Sequence, residues 1–173
     1  SEKYTAEQII SSSGIKTGDN LFVSSVNTEK LREKLPFIES VKLKRTLPDS
    51  ITITVKDAEP YACYYSDGMY YTVSRAGYVL ESSEEKHDSL FEIRADKVKC
   101  TIGKEIVFSS EKTEELISEI TTLAEEYAIK LNSVDVSDEL AVRVKAENRF
   151  IVDFGTSNFL SNKFAHLSGM IKN

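Results

Sequence analysis

The chain has 173 residues, 40% hydrophobic and 29% charged, with a net charge of −6 and a pI near 5.1. That length suits one large domain or two small ones with a real core. The acidic balance disfavours an electrostatic grip on nucleic acid, which needs Lys and Arg clustered against phosphates.

Thr5 is placed to cap a first helix, with Gln8 three residues on as in a capping box and Tyr4 able to staple onto Ile9. Ala6, Ile9 and Ile10 give it an apolar face, and Gly14 a left-handed stop. A Gly- and Asn-containing connection over 16–20 leads to the apolar Leu21-Phe22-Val23. Asn27 caps a second predicted helix, Val26 staples onto Leu31, and Pro36 ends the helix after Leu35. Two strands follow: Val41 and Leu43 alternate with Lys42 and Lys44, and Ile51, Ile53 and Val55 alternate with Thr52, Thr54 and Lys56. Leu47-Pro48-Asp49-Ser50 joins them with turn residues, which predicts an antiparallel hairpin.

Ala58-Glu59-Pro60 marks a domain boundary, because a ladder cannot continue through Pro60. Six of the eight tyrosines lie between Tyr61 and Tyr78, broken by Ser66-Asp67-Gly68 and Ala76-Gly77, as in a β-meander. Phe91-Glu92-Ile93 reads as another short strand. A long amphipathic helix covers about 110–130, with Ser110 as its cap and Leu116, Ile117, Ile120, Leu123, Ala124 and Tyr127 along one face. Strands over 140–146 and 149–154 form a hairpin across Glu147-Asn148. Gly155 closes the second of them, and a last helix over 157–171 carries Leu160, Phe164, Leu167 and Ile171 on one side. The predicted class is α+β: a helix–helix–hairpin unit over 1–58, then a mixed β domain over 59–173 with a long helix and a C-terminal helix. The charge agrees with two units, since 1–57 carries nine Lys/Arg and eight Asp/Glu and the remainder thirteen and twenty, although a solvated acidic surface explains it as well.

No catalytic grouping stands out. His87 lies in a charged loop and His166 on the last helix, and no spacing brings either to Cys63 or Cys100. Those two cysteines fit neither a redox motif nor a zinc site; they read as isolated core thiols, with a disulfide as the alternative. The glycines match no nucleotide-binding fingerprint and the acids no calcium loop. The reading therefore assigns no catalytic, cofactor or metal residues. No segment reaches the ~18–20 apolar residues of a membrane span, no signal peptide is present, and the abrupt start reads as an excised fragment.

Three stretches together resemble the FtsQ/DivIB family of bacterial cell-division proteins. The first is Tyr4-Thr5-Ala6-Glu7-Gln8-Ile9-Ile10 with 14–22. The second runs from Leu35-Pro36-Phe37-Ile38-Glu39-Ser40-Val41 through Lys44-Arg45-Thr46-Leu47-Pro48-Asp49-Ser50-Ile51 to Val55-Lys56-Asp57-Ala58-Glu59-Pro60. The third is Tyr71-Thr72-Val73-Ser74-Arg75-Ala76-Gly77-Tyr78-Val79-Leu80. The first two resemble a POTRA domain, which also occurs in secretion and outer-membrane assembly proteins; the third and the element order behind it resemble the family's β domain.

The resemblance implies a non-enzymatic divisome scaffold on the extracytoplasmic side of the cell membrane. Its family has a single upstream membrane-spanning helix, and its partners are FtsL-like and FtsB/DivIC-like proteins. A POTRA fold normally opens with a strand before the first helix, and the family's β domain usually continues past the last helix; neither piece is in this sequence. Contact residues are expected on the terminal hairpin, with Ile151 and Asp153 on its outward face and Phe164 and Leu167 on the helix beside it. Phe150, Val152, Phe154, Phe164 and Leu167 can equally line a core, the favoured reading for each taken singly. Arg45, Leu47 and Pro48 match the family motif at the first hairpin, where shaping the turn is the simpler role.

Overall fold

The computed structural model describes residues 1–20 and 25–172; Leu21-Phe22-Val23 lies outside them. The chain starts as its capping signals direct. Thr5 accepts from the Gln8 amide and the Gln8 side chain accepts from the Thr5 amide, opening α1 (Ala6–Ser13), which ends at Gly14 with φ 78°. Asn27 caps α2 (Thr28–Lys34) through the Lys30 amide. β1 (Ile38–Thr46) and β2 (Ser50–Asp57) pair antiparallel as a two-stranded sheet. Ile9, Leu31, Leu35 and Ile38 pack beneath it with Tyr4, Val26, Val41, Ile53 and Val55.

β3 (Pro60–Ser66), β4 (Met69–Ser74) and β5 (Val79–Ser83) form the expected meander. Pro60 thus opens the next strand: lacking an amide hydrogen, it fits a strand's first position. β6 (Phe91–Arg94), α3 (Glu111–Glu126), β7 (Leu131–Asp135), β8 (Val142–Ala146), β9 (Phe150–Gly155) and α4 (Leu160–Lys172) follow. The second sheet has seven strands in the order β5-β4-β3-β6-β7-β8-β9, with β6 parallel to both β3 and β7. The sequence reading lacked β7, whose Asn132-Ser133 and Asp135 carry no strand-like apolar alternation. It forms because Val134 reaches the core and its neighbours β6 and β8 pair with it on both sides.

One face of this sheet packs on α3 and α4. Ala62, Tyr64, Val73, Ile93, Val134, Val142 and Val144 meet Ile117, Ile120, Leu160, Phe164 and Leu167 in a single core. The opposite face carries Cys63, Thr72 and Glu92, all buried. The β5–β6 connection crosses it, and Lys86 from that connection reaches Glu92 at 3.1 Å while Arg94 bonds the other carboxylate oxygen. Burial pushes the Glu92 carboxyl up, but the hydrogen bonds from Arg94 and Lys86 outweigh it and hold it below the usual carboxylate range.

The amino-terminal unit is pressed against β5. Leu80, 1% exposed, packs with Phe37, Ala58 and Tyr4. Arg32 is buried: its Nε donates to the Ile38 carbonyl at 3.1 Å, its Nη2 to the Glu39 carbonyl at 2.8 Å, and its guanidinium lies 3.6 Å over the Tyr78 ring. Lys104 pairs with Glu33 at 3.1 Å. Between them Gly103, at φ 79°, comes so close that a Cβ there would sit 2.6 Å from the Arg32 carbonyl oxygen and 2.7 Å from Glu33 Cα.

Candidate interaction site

The terminal hairpin turns at Glu147 and Asn148, both at positive φ (52° and 58°), the conformation of the hairpin turn that matches strand twist. Asn132 clamps this tip from the start of β7. Its Nδ2 donates to Asn148 Oδ1 at 2.7 Å, and its Oδ1 accepts from the Asn148 amide at 2.6 Å. The Glu147 amide donates to the Lys130 carbonyl, and the Glu147 carboxylate accepts from the Lys130 amide. β9 is thus held rigidly by one side, and it ends the sheet order, pairing with β8 alone among the described residues. An edge strand presents unpaired backbone donors and acceptors to an incoming chain.

The side chains of β9 divide by the two-residue period. Phe154 lies in the core, its ring 5.2 Å from that of Phe164, and Phe150 and Val152 pack against the same core. Ile151 and Asp153 point the other way. Ile151 is 80% exposed beside Lys145, and Asp153 meets Arg143 at 3.5 Å. Strand register extends that pair into a row of alternating charge across four strands, Arg94, Asp135, Arg143 and Asp153. A ligand approaching Asp153 competes with Arg143, whereas Ile151 offers apolar surface with no competitor.

Phe164 and Leu167, offered by the sequence as contacts but more readily as core, are core residues: both are 0% exposed, because α4 turns its apolar stripe onto the sheet. Two exposed apolar residues missed in the sequence lie at the far end of the hairpin. Leu140, 71% exposed, precedes β8 instead of opening it, and Phe159, 77% exposed at φ 58°, stands just ahead of α4. The Ser157 amide donates to the Glu139 carbonyl and joins their two loops. Nothing local marks Phe159, since an aromatic residue is an uncommon occupant of the left-handed region.

Arg45, Leu47 and Pro48 are exposed at the tip of the first hairpin. They do not join Ile151 and Asp153 in one site, because the first unit abuts β5 while β9 is the opposite edge of the sheet. Cys63 and Cys100 are free thiols. Burial pushes both up, Cys100 to about 12. His87 and His166 are exposed, with the His87 ring bonded to Ser89. Among the described residues no three His, Cys, Asp or Glu side chains gather in a metal-sized group, and no helix is long and apolar enough to cross a membrane.

Two helices laid on an antiparallel hairpin define the class of the first unit, and residues 1–57 match the POTRA domain of the FtsQ type. Over most of its length the chain is also similar to cell-division proteins named DivIB. It is 29% identical over 165 residues to the cell division protein DivIB of Clostridium acetobutylicum, covering 91% of this chain and 64% of that one. It is 27% identical over 175 residues to DivIB of Clostridium botulinum strain Loch Maree, covering 96% and 66%. Cell division protein FtsQ of Syntrophotalea carbinolica is 34% identical over 80 residues, 46% of this chain and 28% of its own. The chain thus spans just under two thirds of the length of the DivIB proteins it matches over most of its own, 64% and 66%.

Proposed function

We propose that this chain is the extracytoplasmic part of a membrane-anchored cell-division scaffold that catalyses no reaction. In this reading residues 1–58 act as the POTRA unit and 59–173 as the β unit. The partners are FtsL-like and FtsB/DivIC-like proteins, and the contact is made along the free edge and outward face of β9. The observation that carries the placement is an edge strand whose outward Ile151 is 80% exposed while the rest of its apolar side chains are packed inward. Backbone pairing supplies affinity in strand addition and an outward side chain supplies selectivity.

The test is co-elution and calorimetric titration of this chain against the extracytoplasmic segments of its cognate FtsL- and DivIC-like proteins, beside a version extended at both ends. The chain should bind, and Ile151→Lys should weaken binding about tenfold or more with an unchanged circular dichroism spectrum. Equal binding by the Ile151→Lys chain refutes the β9 placement. Binding by the extended version alone moves the contact outside these residues, and binding by neither refutes the scaffold reading.

A further inference from the structure

The outward face of the first hairpin has an unusual composition. Its cross-strand pairs are Ser40 with Lys56, Lys42 with Thr54 and Lys44 with Thr52, so three lysines and no acidic residue occupy its paired positions. Lys56 is engaged by Glu39 at the rim of this face. From Lys44 to Ser50 every residue is exposed, Arg45 among them, and the tip presents Leu47 at 68% exposure next to Pro48. The surrounding chain is acidic: beyond residue 57 there are thirteen Lys/Arg against twenty Asp/Glu. The outward paired positions of this hairpin are therefore basic in a molecule with net charge −6, while residues 38–57 as a whole carry Lys42, Lys44, Arg45 and Lys56 against Glu39, Asp49 and Asp57.

We propose that this hairpin is a docking surface for an anionic lipid bilayer, with Lys42 and Lys44 against headgroup phosphates and Leu47 dipping into the interface. The chemistry is complementary at both levels. Each Lys or Arg near an anionic bilayer is attracted within a Debye length, about 8 Å at physiological salt. That short range lets a projecting basic hairpin act while the acidic remainder of the molecule stays screened. An apolar tip next to a lysine-bearing face joins interfacial burial to headgroup attraction, with Asp49 the one acidic residue of the exposed 44–50 stretch. Lysines on an exposed strand also hinder strand-to-strand aggregation, but that role leaves the exposed Leu47 at the tip without a use. The proposal needs no protein partner and stands apart from the reading of β9.

The test is co-sedimentation of the 173-residue chain with vesicles of phosphatidylglycerol and phosphatidylcholine, and with phosphatidylcholine alone. Binding is expected only to the anionic vesicles, falling as salt rises. K42Q/K44Q should bind roughly thirty-fold more weakly, from about 1 kcal/mol per lysine near the surface. Leu47→Ser should bind more weakly at every salt concentration, with both variants folded by circular dichroism. Absence of binding to anionic vesicles overturns the proposal, as does equal binding by K42Q/K44Q. Self-association in lipid-free solution that K42Q/K44Q abolishes, with no vesicle binding, overturns it in favour of a contact between copies of the chain.

Discussion

Gly103 is where the two sheets depend on one atom's absence, and Gly103→Ala tests that dependence. Two costs add. A left-handed φ of 79° disfavours any residue with a Cβ by about 1–2 kcal/mol, offset by roughly 0.4–1 kcal/mol because alanine restricts the unfolded chain. The new methyl would also lie 2.6 Å from the Arg32 carbonyl oxygen and 2.7 Å from Glu33 Cα. Both are backbone atoms, so no side chain can simply rotate aside, and overpacking of this kind costs about 1–3 kcal/mol.

The alternative to strain is separation, which would expose Leu80 and the Arg32–Tyr78 stack; uncovering one leucine alone costs about 1.5–3 kcal/mol. Gly103→Ala should therefore lose about 2–4 kcal/mol in all. Gly68→Ala is the matched control: its φ is 81° with nothing within 4 Å of the added carbon, so it should lose only about 1 kcal/mol. The chain has no tryptophan, so urea unfolding followed by far-ultraviolet circular dichroism is the assay. A lower midpoint at constant slope reports strain, and a broadened or two-step transition reports separation. Equal losses at the two positions would falsify the close approach.

Two further outcomes follow from buried groups. Glu92 has its folded pKa depressed, so its contribution to stability is complete above its unfolded pKa near 4.5 and is lost as pH falls through the lower folded value. Glu92→Gln should cost about 1–3 kcal/mol at pH 7 and flatten the acid limb of a stability–pH curve; parallel acid limbs for the two proteins would contradict the assignment. Cys63 and Cys100, both held protonated at neutral pH by burial, should react with an aromatic disulfide reagent only after unfolding, when two thiols titrate. Fast labelling of one or two thiols in the native chain would show that the labelled ones are not shielded.

The local grammar of this protein was legible because it rests on neighbours a few residues apart. Thr5 with Gln8, Asn27, and the turn at Glu147-Asn148 act where the sequence places them, since each closes hydrogen bonds within its own turn. Ser110 is the partial exception: it stands at the start of α3 but its side chain makes no capping bond, the Thr113 amide taking its carbonyl instead. Helix faces were legible too, because the 3.6-residue period of Leu160, Phe164 and Leu167 says that they share a side.

What period cannot say is which side meets the core. Phe164 and Leu167 offered the same apolar stripe whether it served a partner or the sheet, and only packing on Phe154 decided it. β7 was invisible because its strand character comes from β6 and β8 on either side, not from its own residues. Nothing near Gly103 in the chain marks it, because the backbone it approaches belongs to a helix some seventy positions away. The caps, helix faces and tight turns are set by the sequence, because their bonds close within a few residues. Only the fold settles the parallel pairing of β6, the existence of β7 and the contact at Gly103, because those depend on residues far apart in the chain that folding brings together.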